Sequence, residues 1–241
     1  MCCVVWKTTF FLAVAVNVLN VCTHACPTAV CRTKWTPQNY PNPKTSSGLC
    51  GRYCTRTFIC DPCNIISNKT AIEIDKMIAD VNINPGLCGN NYAIAVAVVN
   101  KINITAGTAK MEVPKFVDAL REHEWNSGNG NCGNDVIIFV STDDKEVYTM
   151  VGEAVGKILT SDCIYLVYEA ARSKHFSNNV VGKGIKLMVE MYKKALLSGT
   201  CDVNLDSDDA VAWAIIGLII GTVFSVPTLI IICICCFCCK K

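Results

Sequence analysis

The sequence predicts an α/β sandwich outside the cell, preceded by a disulfide-rich segment and followed by one C-terminal transmembrane helix. Three observations lead there. Of 241 residues, 51% are hydrophobic and 18 are cysteine, too apolar and too cysteine-rich for an ordinary cytosolic enzyme of this size. An uncharged run from Ala210 to Cys239 exceeds the roughly 20 residues that a helix needs to cross a bilayer core. Between Cys63 and Gly199, helical stripes of apolar residues alternate with short, continuous apolar runs.

The elements follow in chain order. MCCVVWK supplies a positive n-region and TTFFLAVAVNVLNV an apolar h-region, and Thr23-His24-Ala25 ends in the small residue that a signal peptidase takes. Residues 1–25 therefore read as a signal peptide, with an uncleaved anchor as the competing reading. Residues 26–60 contain WTPQNYPNPKTSSGLCGRYC, rich in turn formers and without helical or strand period, and read as a disulfide-tied, loop-rich entry.

Residues 61–199 carry the sandwich. Thr70-Ala-Ile-Glu73 has the form of a capping box, with Ile74, Met77, Ile78 and Val81 on one helical face behind it. The run from Tyr92 to Asn100 reads as a strand covered on both faces. Pro114 is placed to open a second helix with Phe116, Val117 and Leu120 on its stripe. Asp135 to Thr142 and Glu146 to Val151 read as two strands joined by Asp143-Asp144-Lys145 in an antiparallel hairpin. Ser161 or Asp162 caps a helix through Ala171; Asn178 starts a longer one, with Val181, Ile185, Met188, Tyr192 and Ala195 at helical spacing, and Gly199 stops it.

An acidic linker, residues 200–210, leads to the span at 211–234 and a short cysteine-rich end at 235–241. Asp206, Asp208 and Asp209 precede the span, and Lys240 and Lys241 follow it. By the positive-inside tendency the lysines are cytoplasmic. The expected state is a type I protein of the plasma membrane.

The cysteines divide between the two sides. Cys26, Cys31, Cys50, Cys54, Cys60, Cys63, Cys88, Cys132, Cys163 and Cys201 are even in number and lie where disulfides persist. Their pairing is left open by the sequence. Cys50, Cys54, Cys60 and Cys63 also have zinc-ribbon spacing, and Cys60-Asp-Pro-Cys63 has that of a redox pair; bridging is preferred because thiolates outside the cell oxidise before they ligate. Cys233, Cys235, Cys236, Cys238 and Cys239 meet the cytoplasmic leaflet, where thioester-linked palmitate forms. In the span, Gly217 and Gly221 with Ser225 make a small-residue face for a second helix, from another copy or from a channel.

Composition excludes several functions. Three of the 22 basic residues, Lys7, Lys240 and Lys241, fall outside residues 26–210, so 19 basic residues there face 20 acidic ones. This is not a nucleic-acid binder. His123 and His175 are the two histidines after the signal segment, too few for a multi-histidine metal centre. Asp61, Asp143, Asp144, Glu153 and Asp162 lie at element ends, where oxygen ligands for Ca²⁺ or Mg²⁺ can gather; the competing reading is that each is a turn former or cap. Asn68-Lys-Thr70 and Asn103-Ile-Thr105 are glycosylation sequons.

The order of elements from Asp61 to Leu197 resembles a TPM domain. The resemblance is carried by Trp125 before a Gly/Asn-rich loop containing Gly130 and Asn134, a buried strand, the Asp143-Asp144 hairpin, then Gly152 and Asp162. A TPM domain outside the membrane with one C-terminal span is similar to the nematode modulators of levamisole receptors. That resemblance implies a non-enzymatic auxiliary subunit of an acetylcholine-gated channel. Other TPM proteins imply divalent-cation binding or a metal-dependent phosphatase, and a surface adhesion role shares the same architecture. The chain departs from the common Gly-Tyr-Gly-Leu-Glu pattern, reading Gly152-Glu153-Ala154-Val155-Gly156. Near the acidic hairpin, Lys145 is a weak candidate for the cation that phosphoryl transfer needs.

Overall fold

The computed structural model describes residues 28–52, 57–87, 89–125 and 133–202. The chain divides into two compact units, Met1–Cys201 and Asp202–Lys241, and the description concerns the first. The signal segment, Cys26, Cys54, Cys88, Gly130, Cys132, the span with Gly217, Gly221 and Ser225, and Cys233, Cys235, Cys236, Cys238 and Cys239 lie outside the described residues. Among the described residues no helix is long and apolar enough to cross a membrane.

A four-stranded sheet runs in the order β1 (Ile59–Cys60), β2 (Ala93–Val99), β3 (Asp135–Ser141), β4 (Glu146–Val151). The first three strands are parallel, and β4 turns back along β3. Helices α1 (Asn68–Asn82), α2 (Ala109–Ala119), α3 (Ser161–Lys174) and α4 (Val181–Ser198) complete the unit. Every residue of β3 is buried, and so are all but the first of β2, as central strands covered on both faces require.

The strands' alternation assigns the layers. Ala95, Ala97, Val99, Ile137 and Phe139 join Val113, Phe116 and Val117 of α2, and Tyr148 and Met150 of β4 pack against them. The entry segment closes this face with Trp35 and Tyr40, whose rings meet edge to face at 5.2 Å. On the other face, Thr149 of β4 lies 2.9 Å from the Tyr192 hydroxyl of α4, and α4 packs against both α1 and α3. Each fully buried aliphatic side chain contributes about 1.5–3 kcal/mol to such a core.

Several element boundaries differ from the sequence reading. The cap of α1 is Ser67, whose hydroxyl accepts from Thr70 N; Thr70 is the donor, three residues into the motif. Pro114 lies inside α2, which starts at Ala109 behind Thr108. Burying Val113 with Phe116 and Val117 extends the apolar stripe N-terminally, and the helix forgoes the hydrogen bond that proline cannot donate. Thr160, accepting from Cys163 N, caps α3, leaving Ser161 and Asp162 in its first turn. Asn178 ends a single 3₁₀ turn, Phe176–Asn178, and Asn179 (φ 57°) breaks the chain before α4. Gly199, at φ 75°, ends α4 as read.

Strand β1 was hidden in the segment read as loop, because two residues cannot show a period. Its shortness leaves the outer edge of β2 uncovered at both ends, and side chains complete it. Val96 N donates to Phe58 O, Ile94 N donates to Asn82 Oδ1 at 2.9 Å, and Val98 N donates to the Tyr40 hydroxyl at 2.9 Å. That hydroxyl donates in turn to Cys60 O at 2.6 Å.

Candidate functional site

In open parallel sheets, ligands collect at the carboxyl ends of the strands. Here that end carries Asp61 after β1, Asn100 after β2, and the hairpin turn Thr142–Lys145 after β3. Asp61 is fully buried. Its two carboxylate oxygens accept Ile65 N at 3.0 Å and Ile66 N at 2.7 Å, so it folds the turn that leads into α1. Burial raises its carboxyl above the ordinary range, against the lowering effect of those two amides and of Arg52.

Asp144 is also engaged within the fold. One of its oxygens accepts Ile102 N at 2.9 Å and the Ser141 hydroxyl at 2.6 Å, which ties the loop after β2 to the hairpin. That loop also receives the entry segment: Trp35 N donates to Lys101 O at 2.9 Å and Asn103 N to Trp35 O at 2.7 Å. Asp143 is exposed in the turn. Glu153 follows β4 and Asp162 starts α3, both at the opposite end of the sheet, since β4 runs antiparallel to β3. Among the described residues, no three His, Cys, Asp or Glu side chains stand close enough together to hold a metal ion.

Other charged groups escaped the sequence reading because only the fold joins them. Asp75 of α1 accepts Phe58 N at 2.8 Å and the Thr57 hydroxyl at 2.8 Å, and burial raises its carboxyl. Fully buried Asp135 forms a two-pronged ion pair with Arg121 through Nε and Nη2. Gly152 is required beside it, since a Cβ there would lie 2.4 Å from both Asp135 Oδ1 and Gly133 O. The Gly152 of the TPM-like signature therefore has a packing role, whatever becomes of the residues that follow it.

Three bridges are present among the described cysteines: Cys31–Cys63, Cys50–Cys60 and Cys163–Cys201. Cys60 and Cys63 thus take different partners, and neither the zinc-ribbon nor the redox-pair reading describes them. Asn68 and Asn103 are both exposed, on the first turn of α1 and in the loop after β2.

Residues 35–145 match the family model described as Modulator of levamisole receptor-1. This segment is similar to that family. The matched stretch runs from Trp35, which docks the entry segment, to Lys145, which closes the β3–β4 hairpin. Among solved structures, the solution NMR structure of the N-terminal domain of a protein from P. gingivalis has a TM-score of 0.55 at 14% identity, over 70% of this chain and 95% of that one. That likeness shows a shared fold. The NMR structure of BA42 from the psychrophilic bacterium Bizionia argentinensis gives 0.42 at 15% identity, over 59% of this chain and 89% of that one. No curated protein matches the chain. The levamisole receptor modulator match supports a receptor-modulator-like role at the level of the family.

Proposed function

We propose that the protein is a single-pass, type I auxiliary subunit of the plasma membrane whose outer α/β domain binds an acetylcholine-gated channel and biases its conformational equilibrium. The family match over residues 35–145 carries this reading. The internal use of Asp61 and Asp144 agrees with it: their oxygens are committed to backbone amides and a serine hydroxyl, the work of a scaffold. The run from Ala210 to Cys239 serves as the anchor, acylated at its cytoplasmic cysteines, and Asn68 and Asn103 carry glycans on the outer face. A modulator of this kind changes channel current only through different affinities for the channel's states.

Co-expression with pentameric acetylcholine receptors is the test, reading agonist-evoked current and co-purification. Altered current together with co-purification for at least one receptor is expected. Unchanged currents and no co-purification across a receptor panel would overturn the reading.

A further inference from the structure

A cavity of about 310 Å³ opens between the β3–β4 hairpin and the junction of α3 with α4. It lies at the carboxyl end of β3, yet none of the acidic residues discussed above lines it. Its walls include Val140, Val147 and Phe176, and its charged groups are Lys145 and Arg172. Arg172 shares its charge with Glu169 at 2.6 Å. Lys145 is exposed and has no ion pair among the described residues. Glu146 lies within electrostatic reach of Tyr168 at the rim, but it does not line the cavity.

The backbone at the rim adds a second observation. Lys145 has φ 57°, and Asn179, on the opposite wall, has φ 57° as well. Asparagine tolerates this left-handed conformation, whereas a hairpin position of this kind ordinarily takes glycine. A lysine held there carries a cation on the hairpin turn that lines the cavity, at a conformational cost that glycine would avoid. Val181, also on the wall, begins α4 behind a residue that offers no side-chain cap. The amides of the first turn have no intrahelical acceptor.

From these features we infer that the cavity binds a carboxylate carried on a small apolar body. One unpaired lysine matches a monoanion, and the valine and phenylalanine walls match the body. A doubly charged phosphate would exceed the available cation charge, and a cationic ligand would meet no lining acid. The volume is at the lower end for small-molecule sites, which suits a ligand the size of an amino acid. This inference stands apart from the receptor-modulator reading and survives or fails separately.

The probe is phenylacetate titrated into the full-length oxidised protein, read by ¹H–¹⁵N shifts at Lys145, Val181, Gly182 and Lys183. Its neutral isostere phenylacetamide and inorganic phosphate are the controls. Saturable shifts with phenylacetate alone are expected, with affinity reduced about tenfold in Lys145→Gly by loss of one charge-assisted contact. The same variant is expected to melt at higher temperature than the parent, because glycine relieves the left-handed turn; this separates loss of the ligand contact from loss of fold. Equal binding of phenylacetamide, preference for phosphate, unchanged affinity in Lys145→Gly, or no saturable shift would each overturn the assignment.

Discussion

At the residue scale, buried carboxylates are structural parts here, and they leave a signature in pH. Asp61 and Asp75 both have carboxyls raised by burial, so the folded chain holds protons that the unfolded chain has released. Their contribution is complete below the ordinary carboxylate value of about 4 and is lost as pH rises from there through the raised folded values. Glu73 is lowered by Lys186 and acts oppositely, but on an exposed pair that solvent screens. Thermal unfolding of the protein followed from pH 4 to pH 7 should therefore lose stability from these two groups, and Asp75→Asn should make the decline shallower. A slope unchanged in that variant would remove Asp75 from the account. Tyr40 is the second residue on which much depends, since its hydroxyl is hydrogen-bonded to both β1 and β2. Tyr40→Phe leaves Val98 N and Cys60 O without this partner in a dry site and should cost about 2 kcal/mol in denaturant unfolding.

At the element scale, what was legible in the sequence was what repeats. The strands β2, β3 and β4 and the apolar face of α4 follow from runs long enough to show a period. Their ends did not, because caps are settled by single hydrogen bonds, Ser67 to Thr70 N and Thr160 to Cys163 N, for which neighbouring residues compete on equal terms. The ion pair of Arg121 with Asp135, and Asp75 on the start of β1, were invisible because each joins partners 14 or 17 residues apart that only folding brings together. The acidic residues at element ends were legible as a set, but the fold sends Asp61, Asp143 and Asp144 to one end of the sheet and Glu153 and Asp162 to the other. Disulfide connectivity was beyond the sequence, and one bridge gives a direct test. Cys163–Cys201 closes a separation of 38 residues, tying the start of α3 to the segment just beyond α4. Replacing both cysteines with serine should lower stability by about 2–4 kcal/mol, with little change in the far-ultraviolet spectrum of the folded state.

At the scale of the whole molecule, the entry segment read from the sequence as disulfide-tied and loop-rich is an integral wall of the domain. It is bridged by Cys31–Cys63 and Cys50–Cys60, and Trp35 and Tyr40 stand in the core. The side chains that finish the short first strand have a further effect on how copies of this protein behave toward one another. An open strand edge is a template on which another chain can grow a sheet, and the outer edge of β2 is long, apolar and flat in sequence. With Asn82 occupying Ile94 N and Tyr40 occupying Val98 N, that edge has no consecutive donors to offer a newcomer. The two side chains thus close this stretch of β2 to strand addition by another copy.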